Sequence, residues 1–320
     1  MREHTTRLAL LGLLADGGFH SGEVLGVELG ISRAAISKHI KVLQSWGVDV
    51  YRVQGKGYCL SAKLELLDCD KILANVKCES LDVIPVIDST NQYLLDKVGQ
   101  LPSGATCIAE YQQAGRGRRG RQWFSPFGSN LYLSMYWRLD AGMAAAMGLS
   151  LVVGVAIAET LESLGAEGIR VKWPNDLYHY DKKMAGILIE MTGQAGEAAH
   201  LVIGMGLNIA MPEQEGAGID QAWTNLSQAC HTLPDRNILA ATLIHRLQLT
   251  LAEYEVLGLD GFTERWNRLD NFLDRPVKLL IGERVVEGIA RGINNQGALL
   301  LETEGVVTPY LGGEISLRGC

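Results

Sequence analysis

Ten consecutive residues, Gln112-Gln113-Ala114-Gly115-Arg116-Gly117-Arg118-Arg119-Gly120-Arg121, put four arginines within six positions and interleave them with glycine. Guanidinium groups this dense repel one another, and each presents a planar fork that binds a carboxylate or phosphate bidentately. A polyanion is what would order such a loop. A solvated basic turn and a nucleic-acid patch are the readings that the residues alone leave open beside it. Gly115 to Gly120 also fits G-x-G-x-x-G, but that dinucleotide fingerprint must open a helix. Trp123-Phe124-Ser125-Pro126-Phe127-Gly128 follows instead, which is no helix, so the dinucleotide reading is rejected.

Further groups able to do chemistry flank this loop. Lys172-Trp173-Pro174-Asn175-Asp176 sets an amide and a carboxylate on a stiff corner, and Lys183 opens the apolar run 184–189. A lysine entering a core strand suits a point charge facing a ligand anion. Equally, Lys172, Asp176, Lys182 and Lys183 would make an ordinary ion-paired surface of little energetic worth. Asp88-Ser89-Thr90-Asn91-Gln92 places hydroxyls and an amide at a strand-to-helix junction, where they cap the helix or line a polar pocket.

These groups need a scaffold, and the alternation of apolar residues supplies it. Strands are expected over 81–87, 105–111, 131–139, 169–172, 177–180, 183–191 and 200–209, with helices over 66–76 and 144–164. So many strands with few intervening helices imply a mostly antiparallel, mixed sheet. Helices over 235–257 and 259–269 precede five short strands from Pro276 to Leu317, which suggests a small SH3-like barrel.

The first 62 residues read differently. Leu8, Leu11 and Leu14 stripe a first helix; Ser21 caps a second with Val24, Leu25 and Leu29 inward; Gly30 turns the chain; Ser32 caps a third with Ile36, Ile40 and Leu43 inward. The start and opposite face of that third helix carry Ser32, Arg33, Ala34, Ser37, Lys38 and Lys41, which suits a major-groove reader. A hairpin over 48–60 then places Arg52 and Lys56 to touch the phosphate backbone. An amphipathic three-helix domain for protein contacts is the alternative. Net charge is −7 over 320 residues, but residues 1–62 hold seven Lys+Arg against five Asp+Glu, so +2, leaving −9 on the rest. One module of so modest a charge requires two copies on a palindrome for tight specific binding, so dimerisation is implied. Residues 61–65 are the expected linker.

The six cysteines form no C-x-x-C and no His/Cys cluster, which points to reduced thiols in a cytosolic protein. Residues 8–15 resemble a short signal segment, but cleavage there would cut into the DNA-binding motif. Residues 141–158 lack charge, yet their Ala, Gly, Ser and Met content suits a buried helix better than a membrane span.

Taken together, six stretches resemble the bacterial biotin protein ligases, and specifically the bifunctional kind that also represses the biotin operon. They are Asp88–Asn91, Gln112 with Gly115–Gly120, Lys172–Asp176, Lys183–Leu188, Gly204-x-Gly-x-Asn208 and Gly312–Ser316, spread over essentially the whole chain. The resemblance implies an α+β protein of three domains: a winged helix-turn-helix at 1–62, a catalytic domain at 63–270 similar to class II aminoacyl-tRNA synthetases and lipoate ligases, and an SH3-like domain at 271–320. It implies a cytoplasmic enzyme that activates biotin with ATP and Mg²⁺ to biotinyl-5′-adenylate, transfers biotin to a lysine of the biotin carboxyl carrier protein, and binds operator DNA as a homodimer promoted by the adenylate. Carried onto this chain, Ser89, Thr90, Asn91, Gln112, Arg116, Gly117, Arg118 and Lys183 hold biotin. Arg116, Arg118, Arg119, Asn175, Asn208 and Trp223 hold ATP and the adenylate, and Lys183, Arg118 and Asp176 act in catalysis. The loop over 211–221, with Pro212, Gly216 and Gly218, departs from the pattern of close relatives. Two other readings remain, a ligand-sensing repressor without catalysis and a lipoate-type ligase.

Overall fold

The computed structural model describes residues 4–61, 64–194, 196–312 and 315–319. Ala62 and Lys63 of the expected linker, and Gly313 and Glu314 of the last motif, lie outside the described residues.

Three helices open the chain: α1 (Thr5–Leu14), α2 (Gly22–Leu29) and α3 (Arg33–Ser45). Ser21 and Ser32 cap the second and third, each accepting from the backbone N–H three residues on, at 3.1 and 3.2 Å. Gly30 takes the left-handed conformation that ends α2, at φ +66°. Leu10, Leu11, Leu14, Leu25, Ile36, Ile40 and Leu43 make the core. Val24, expected inward, is 49% exposed. It lies next to Leu25, about 100° round the helix, and on a helix of two turns only one of such neighbours can face the core. The hairpin β1 (Val50–Val53) and β2 (Gly57–Leu60) pairs Val50 with Leu60.

Helix α4 (Cys69–Leu73) is shorter than the span 66–76 expected for it. The reason is tertiary: the Glu65 and Leu66 carbonyls that a longer helix would use accept instead from Arg236 and Asn237, at 2.7 and 3.3 Å, and Asp68, in an extended conformation, caps the helix by accepting from the Lys71 N–H at 3.0 Å. Beyond it come β3 (Leu81–Ile87), α5 (Thr90–Leu95), β4 (Thr106–Gln112), β5 (Asn130–Leu139), α6 (Leu149–Ser163), β6 (Ile169–Lys172), β7 (Asp176–His179), β8 (Lys182–Thr192) and β9 (Ala199–Asn208). The seven strands order as β3-β4-β5-β9-β8-β7-β6, and only β3 with β4 run parallel. The mixed, mostly antiparallel sheet read from the sequence is therefore the one that forms.

Helix α6 starts at Leu149 rather than 144 because Gly148, at φ +82°, breaks the path from a short turn over Met143–Ala146. It is buried on nearly every side, against the sheet and against α7 (Arg236–Leu257) and α8 (Asp260–Leu269). That explains the uncharged run that ends at Ala158 without a bilayer, and among the described residues no helix is long and apolar enough to cross one. A buried ion pair, Arg236 to Glu110 at 2.8 Å, ties α7 to β4, while Arg236 also donates to the carbonyls of Asn130 and Glu65. Removing one partner of such a pair costs about 3–5 kcal/mol.

The last five strands are β10 (Pro276–Ile281), β11 (Arg284–Ile293), β12 (Leu299–Thr303), β13 (Val306–Tyr310) and β14 (Ile315–Gly319). They form one antiparallel sheet ordered β13-β12-β11-β10-β14. Asn267 of α8 bonds both the N–H and the carbonyl of Ile293, joining this sheet to the centre. At the other end, Trp46 stacks on Tyr111 and Phe127, with ring centroids 5.5 and 5.9 Å apart.

Candidate active site

A cavity of about 440 Å³ opens on the face of the central sheet away from α6. Its floor is glycine. Gly186 pairs with Gly206 and Leu188 with Gly204 across β8 and β9. A Cβ on Gly204 would stand 2.1 Å from Asn91 Oδ1, one on Gly206 would stand 2.4 Å from the Trp123 indole, and one on Gly186 would stand 2.9 Å from it. Only hydrogen at these three positions lets an amide and a ring lie on the sheet.

One wall is neutral and hydrogen-bonding. Ser89 caps α5, accepting from the Gln92 N–H at 3.4 Å. The Thr90 hydroxyl donates to Gln112 Oε1 at 3.1 Å, and Gln112 Nε2 donates in turn to Ser125 at 3.1 Å. Ser134 Oγ lies 2.7 Å from Thr90 Oγ1 and 2.5 Å from Asn91 Oδ1. Asn91 Nδ2 donates to the Leu188 carbonyl at 3.3 Å and to Glu190 at 2.8 Å. Ser89, Thr90 and Asn91 are all buried, so capping and pocket lining are combined in one segment.

The facing wall is cationic. The arginine loop closes as a narrow hairpin, with the Gly117 N–H donating to the Arg121 carbonyl at 2.7 Å and the Trp123 N–H to the Gly115 carbonyl at 2.8 Å. Arg116 pairs with Glu190 at 2.7 Å, and Arg118 donates to Asn175 Oδ1 at 3.0 Å. Arg119 sits at φ +58°, a left-handed conformation uncommon for a residue with a side chain. Lys183 Nζ stands 2.8 Å from Asp176 Oδ1 and 5.3 Å from the Trp123 ring. Lys172 is buried and donates to the Tyr178 hydroxyl at 2.9 Å. Burial pushes its ammonium down to about 8, the cations Arg318, Lys183 and Arg121 add to that, and Asp176 opposes it. Burial likewise pushes Arg118 down, followed by the charge of Arg119 and against that of Asp176.

The segment after the 211–221 loop runs beside β8. The Lys183 N–H donates to the Ala222 carbonyl and the Thr224 N–H to the Lys183 carbonyl, at 3.0 and 2.9 Å, which sets Trp223 next to Lys183. The Trp223 ring covers Gly216, where a Cβ would meet it at 2.1 Å. Asn208 lines the cavity, but its Nδ2 donates to the Thr224 carbonyl at 3.2 Å and its Oδ1 accepts from Asn130 at 3.5 Å.

The structure thus brings Ser89, Thr90, Asn91, Gln112, Arg116, Gly117, Arg118, Arg119, Asn175, Asp176, Lys183, Asn208 and Trp223 to one cavity. Trp123, Ser134, Glu190 and Arg318 are not among the residues expected at the site, and Lys172, for which an ion-paired surface was one of two readings, is buried. A lysine between Val171 and Trp173 was a legible sign of burial, and so was a tryptophan closing a basic loop. Arg318 arrives on β14 from another sheet and carried no such sign. Among the described residues no three His, Cys, Asp or Glu side chains gather to hold a metal ion.

On the winged helix, Arg33, Ala34, Lys38 and Lys41 are exposed along α3 and Ser37 is half-buried, while the Ser32 hydroxyl is engaged as the cap. Arg52 and Lys56 are exposed on the hairpin, lying 5.8 Å from the Tyr58 ring and 5.4 Å from the Phe19 ring.

A neutral, hydrogen-bonding wall facing a cationic one can hold an organic acid against a phosphate and offset the charge of both. Fold and site together define a protein ligase of the acyl-adenylate type with a DNA-binding domain in front. The biotin/lipoate A/B protein ligase family matches residues 83–208, the biotin protein ligase C-terminal domain 272–318, and an HTH domain 6–59. The chain is 60% identical over 318 residues to the bifunctional ligase/repressor BirA of Salmonella typhimurium and 58% identical to that of Escherichia coli, covering 99% of each chain in both cases. Among solved structures it is similar to the biotin protein ligase of Aquifex aeolicus in complex with biotin and ATP, at a TM-score of 0.64 and 29% identity, over 76% of this chain and 100% of that one. The chain belongs to the bifunctional biotin ligase/repressor family.

Proposed function

We propose that this protein makes biotinyl-5′-adenylate from biotin and ATP, transfers biotin to a lysine of the biotin carboxyl carrier protein, and represses transcription of biotin synthesis genes when the adenylate stays bound. The observation that carries this reading is the cavity itself, where Ser89, Thr90, Asn91 and Gln112 face Arg116, Arg118, Lys172 and Lys183 across a glycine floor.

In the first half-reaction a carboxylate oxygen of biotin attacks the α-phosphorus of ATP, a new O–P bond forms, and the bond to pyrophosphate breaks. Two anions must approach, and the cationic wall lowers that cost in a site partly withdrawn from water. Arg118 and Lys183 lie where both the acid and the α-phosphate come; Arg119, Asn175 and Trp223 line the nucleotide side, with Trp223 over the adenine. Both ends of the Asn208 amide are engaged within the protein, so it acts by holding Thr224 and hence Trp223. Mg²⁺ would enter with the triphosphate and help neutralise its charge beside the cationic wall.

In the second half-reaction the acceptor amine attacks the acyl carbon and AMP leaves. An unperturbed lysine has a pKa near ~10.4 and must shed a proton. Asp176 pairs with Lys183; a Lys183 turned to the acyl phosphate leaves that carboxylate to orient the amine and take its proton.

For repression, the exposed face of α3 reads the major groove while Arg52 and Lys56 touch phosphates. The pairing of β7 with β8 ends at Asp176↔Gly186, so among the described residues the only strand that pairs with β8 beyond Ile187 is β9. That open edge supports pairing with a second copy of the chain, which a palindromic operator requires. The domains are taken as 1–62, 63–270 and 271–320. The last is read as SH3-like, the second as related to class II aminoacyl-tRNA synthetases and lipoate ligases, and the five described cysteines, all free, suit a cytoplasmic protein.

The test is a carrier domain incubated with the protein, ATP and biotin, followed by mass spectrometry. A gain of one biotinyl group at one lysine, absent without ATP, is the result expected. Transfer of lipoate with equal efficiency would favour the lipoate-type reading, and binding of biotin without transfer would favour a bare sensor.

A further inference from the structure

Glu190 sits on β8 and reaches the cavity from its rim. Its Oε2 accepts from Asn91 Nδ2 at 2.8 Å and from Arg116 Nη2 at 2.7 Å. One carboxylate oxygen therefore ties the neutral wall to the first arginine of the cationic loop. Neither bond is deeply buried: the Glu190 and Arg116 side chains are 27% and 37% exposed. The Asn91 bond fixes an amide that Ser134 holds from its other end, whereas the Arg116 bond uses up a cation that the proposed function assigns to a ligand anion. Both cannot persist unchanged when a carboxylate or phosphate arrives.

Resting on that functional reading, we propose that Glu190 is a positioning residue with two duties: it aims the Asn91 amide at all times, and it holds Arg116 as a resident counter-ion that the acid group of the incoming substrate displaces. The exchange breaks one charge-assisted pair at Glu190 and makes one at the ligand, with no proton moved. The carboxylate is thus a competitor built into the site. It sets how tightly an acid is bound relative to a neutral molecule of the same shape. It also lies on the open edge of β8, four residues beyond Gly186, so its release from Arg116 changes the charge presented at that edge only when substrate is in place.

The substitution E190Q separates the two duties, because a glutamine oxygen still accepts from Asn91 but no longer neutralises Arg116. Calorimetry is run with biotin and with biotinol, in which the carboxylate is reduced to an alcohol. E190Q is expected to bind biotin roughly two- to fivefold tighter than the unsubstituted protein, the range of a partly exposed ion pair, and to bind biotinol unchanged. In an R116Q background the same substitution is expected to do nothing. E190A, which removes the acceptor as well, weakens both ligands. E190D, with its carboxylate drawn back by one methylene, shifts biotin in the same direction by less and guards against poor folding of E190Q. Equal shifts for biotin and biotinol, or a gain that survives R116Q, overturn the proposal and leave biotin binding as such intact. If the unsubstituted protein bound neither ligand, the functional reading would fall first.

Discussion

Gly204→Ala is the smallest change that tests the floor of the cavity. The added Cβ would stand 2.1 Å from Asn91 Oδ1, 2.8 Å from its Cγ and 2.9 Å from its Nδ2, so the amide must leave. It cannot shift cheaply, because it is held by Ser134, the Leu188 carbonyl and Glu190. Leaving means losing two neutral hydrogen bonds of about 1 kcal/mol each and one to a charged group of about 1.5–3 kcal/mol. Relaxation and water will recover part of that. If only the charged bond is lost to binding, biotin affinity falls at least tenfold, since each 1.4 kcal/mol is about a factor of ten. Titration calorimetry with biotin reads this directly, and ATP, which meets the opposite wall, should bind within about a factor of two of the unsubstituted protein. Biotin bound by Gly204→Ala as tightly as before would refute the claim that Asn91 lies on the glycine floor and faces the ligand. Gly206→Ala, which strikes Trp123 instead, is the matched control.

Three further outcomes follow from the same geometry. Asp176→Asn removes the partner of Lys183 and should slow transfer to the carrier by tenfold or more while leaving adenylate formation within a few-fold; equal loss in single-turnover assays of both half-reactions would exclude the assigned role. Lys172, pushed down to about 8 chiefly by burial, should give up its proton as pH rises through that value; the rate of adenylate formation should fall there, and K172R, charged throughout, should remove the step. Asp270 is buried, accepts from the Phe272 N–H at 2.9 Å through one oxygen, and has no partner on the other among the described residues; burial raises it to about 7. Its folded pKa lies above the unfolded one, so stability should fall as pH rises from about 4 towards 7, by up to about 1.4 kcal/mol per pH unit. Urea unfolding of Asp270→Asn should show that slope flattened.

The winged helix was legible because its signals are local. Ser21, Gly30 and Ser32 each act on backbone within four residues of themselves, so spacing alone located the elements, and Val24 failed only on which neighbour faced inward. The central sheet was legible in its strands and its antiparallel character. Helix α4 is shorter than its pattern because Arg236 and Asn237, both remote in sequence, take the Glu65 and Leu66 carbonyls that would have lengthened it. The same distance hid the support of the site. The arginine loop, Asp176 and Lys183 announced themselves by charge density or by a charge in an apolar run. Glu190 and Ser134 look ordinary in sequence and acquire their roles only when β5, β8 and α5 meet. Trp123 was read only as evidence against a helix, although its ring covers two of the three floor glycines.

The chemistry depends on the arginine loop bringing an organic acid to a nucleoside triphosphate. The measurement that addresses this most directly is biotin-dependent exchange of pyrophosphate with ATP, in the unsubstituted protein and in Arg116→Gln/Arg118→Gln/Arg119→Gln. Exchange that requires biotin, is not supported by lipoate, and drops by two or more orders of magnitude in the variant is the prediction, at about 2.7 kcal/mol or more of lost transition-state stabilisation. Exchange of undiminished rate in a folded variant without those three guanidinium groups would contradict it.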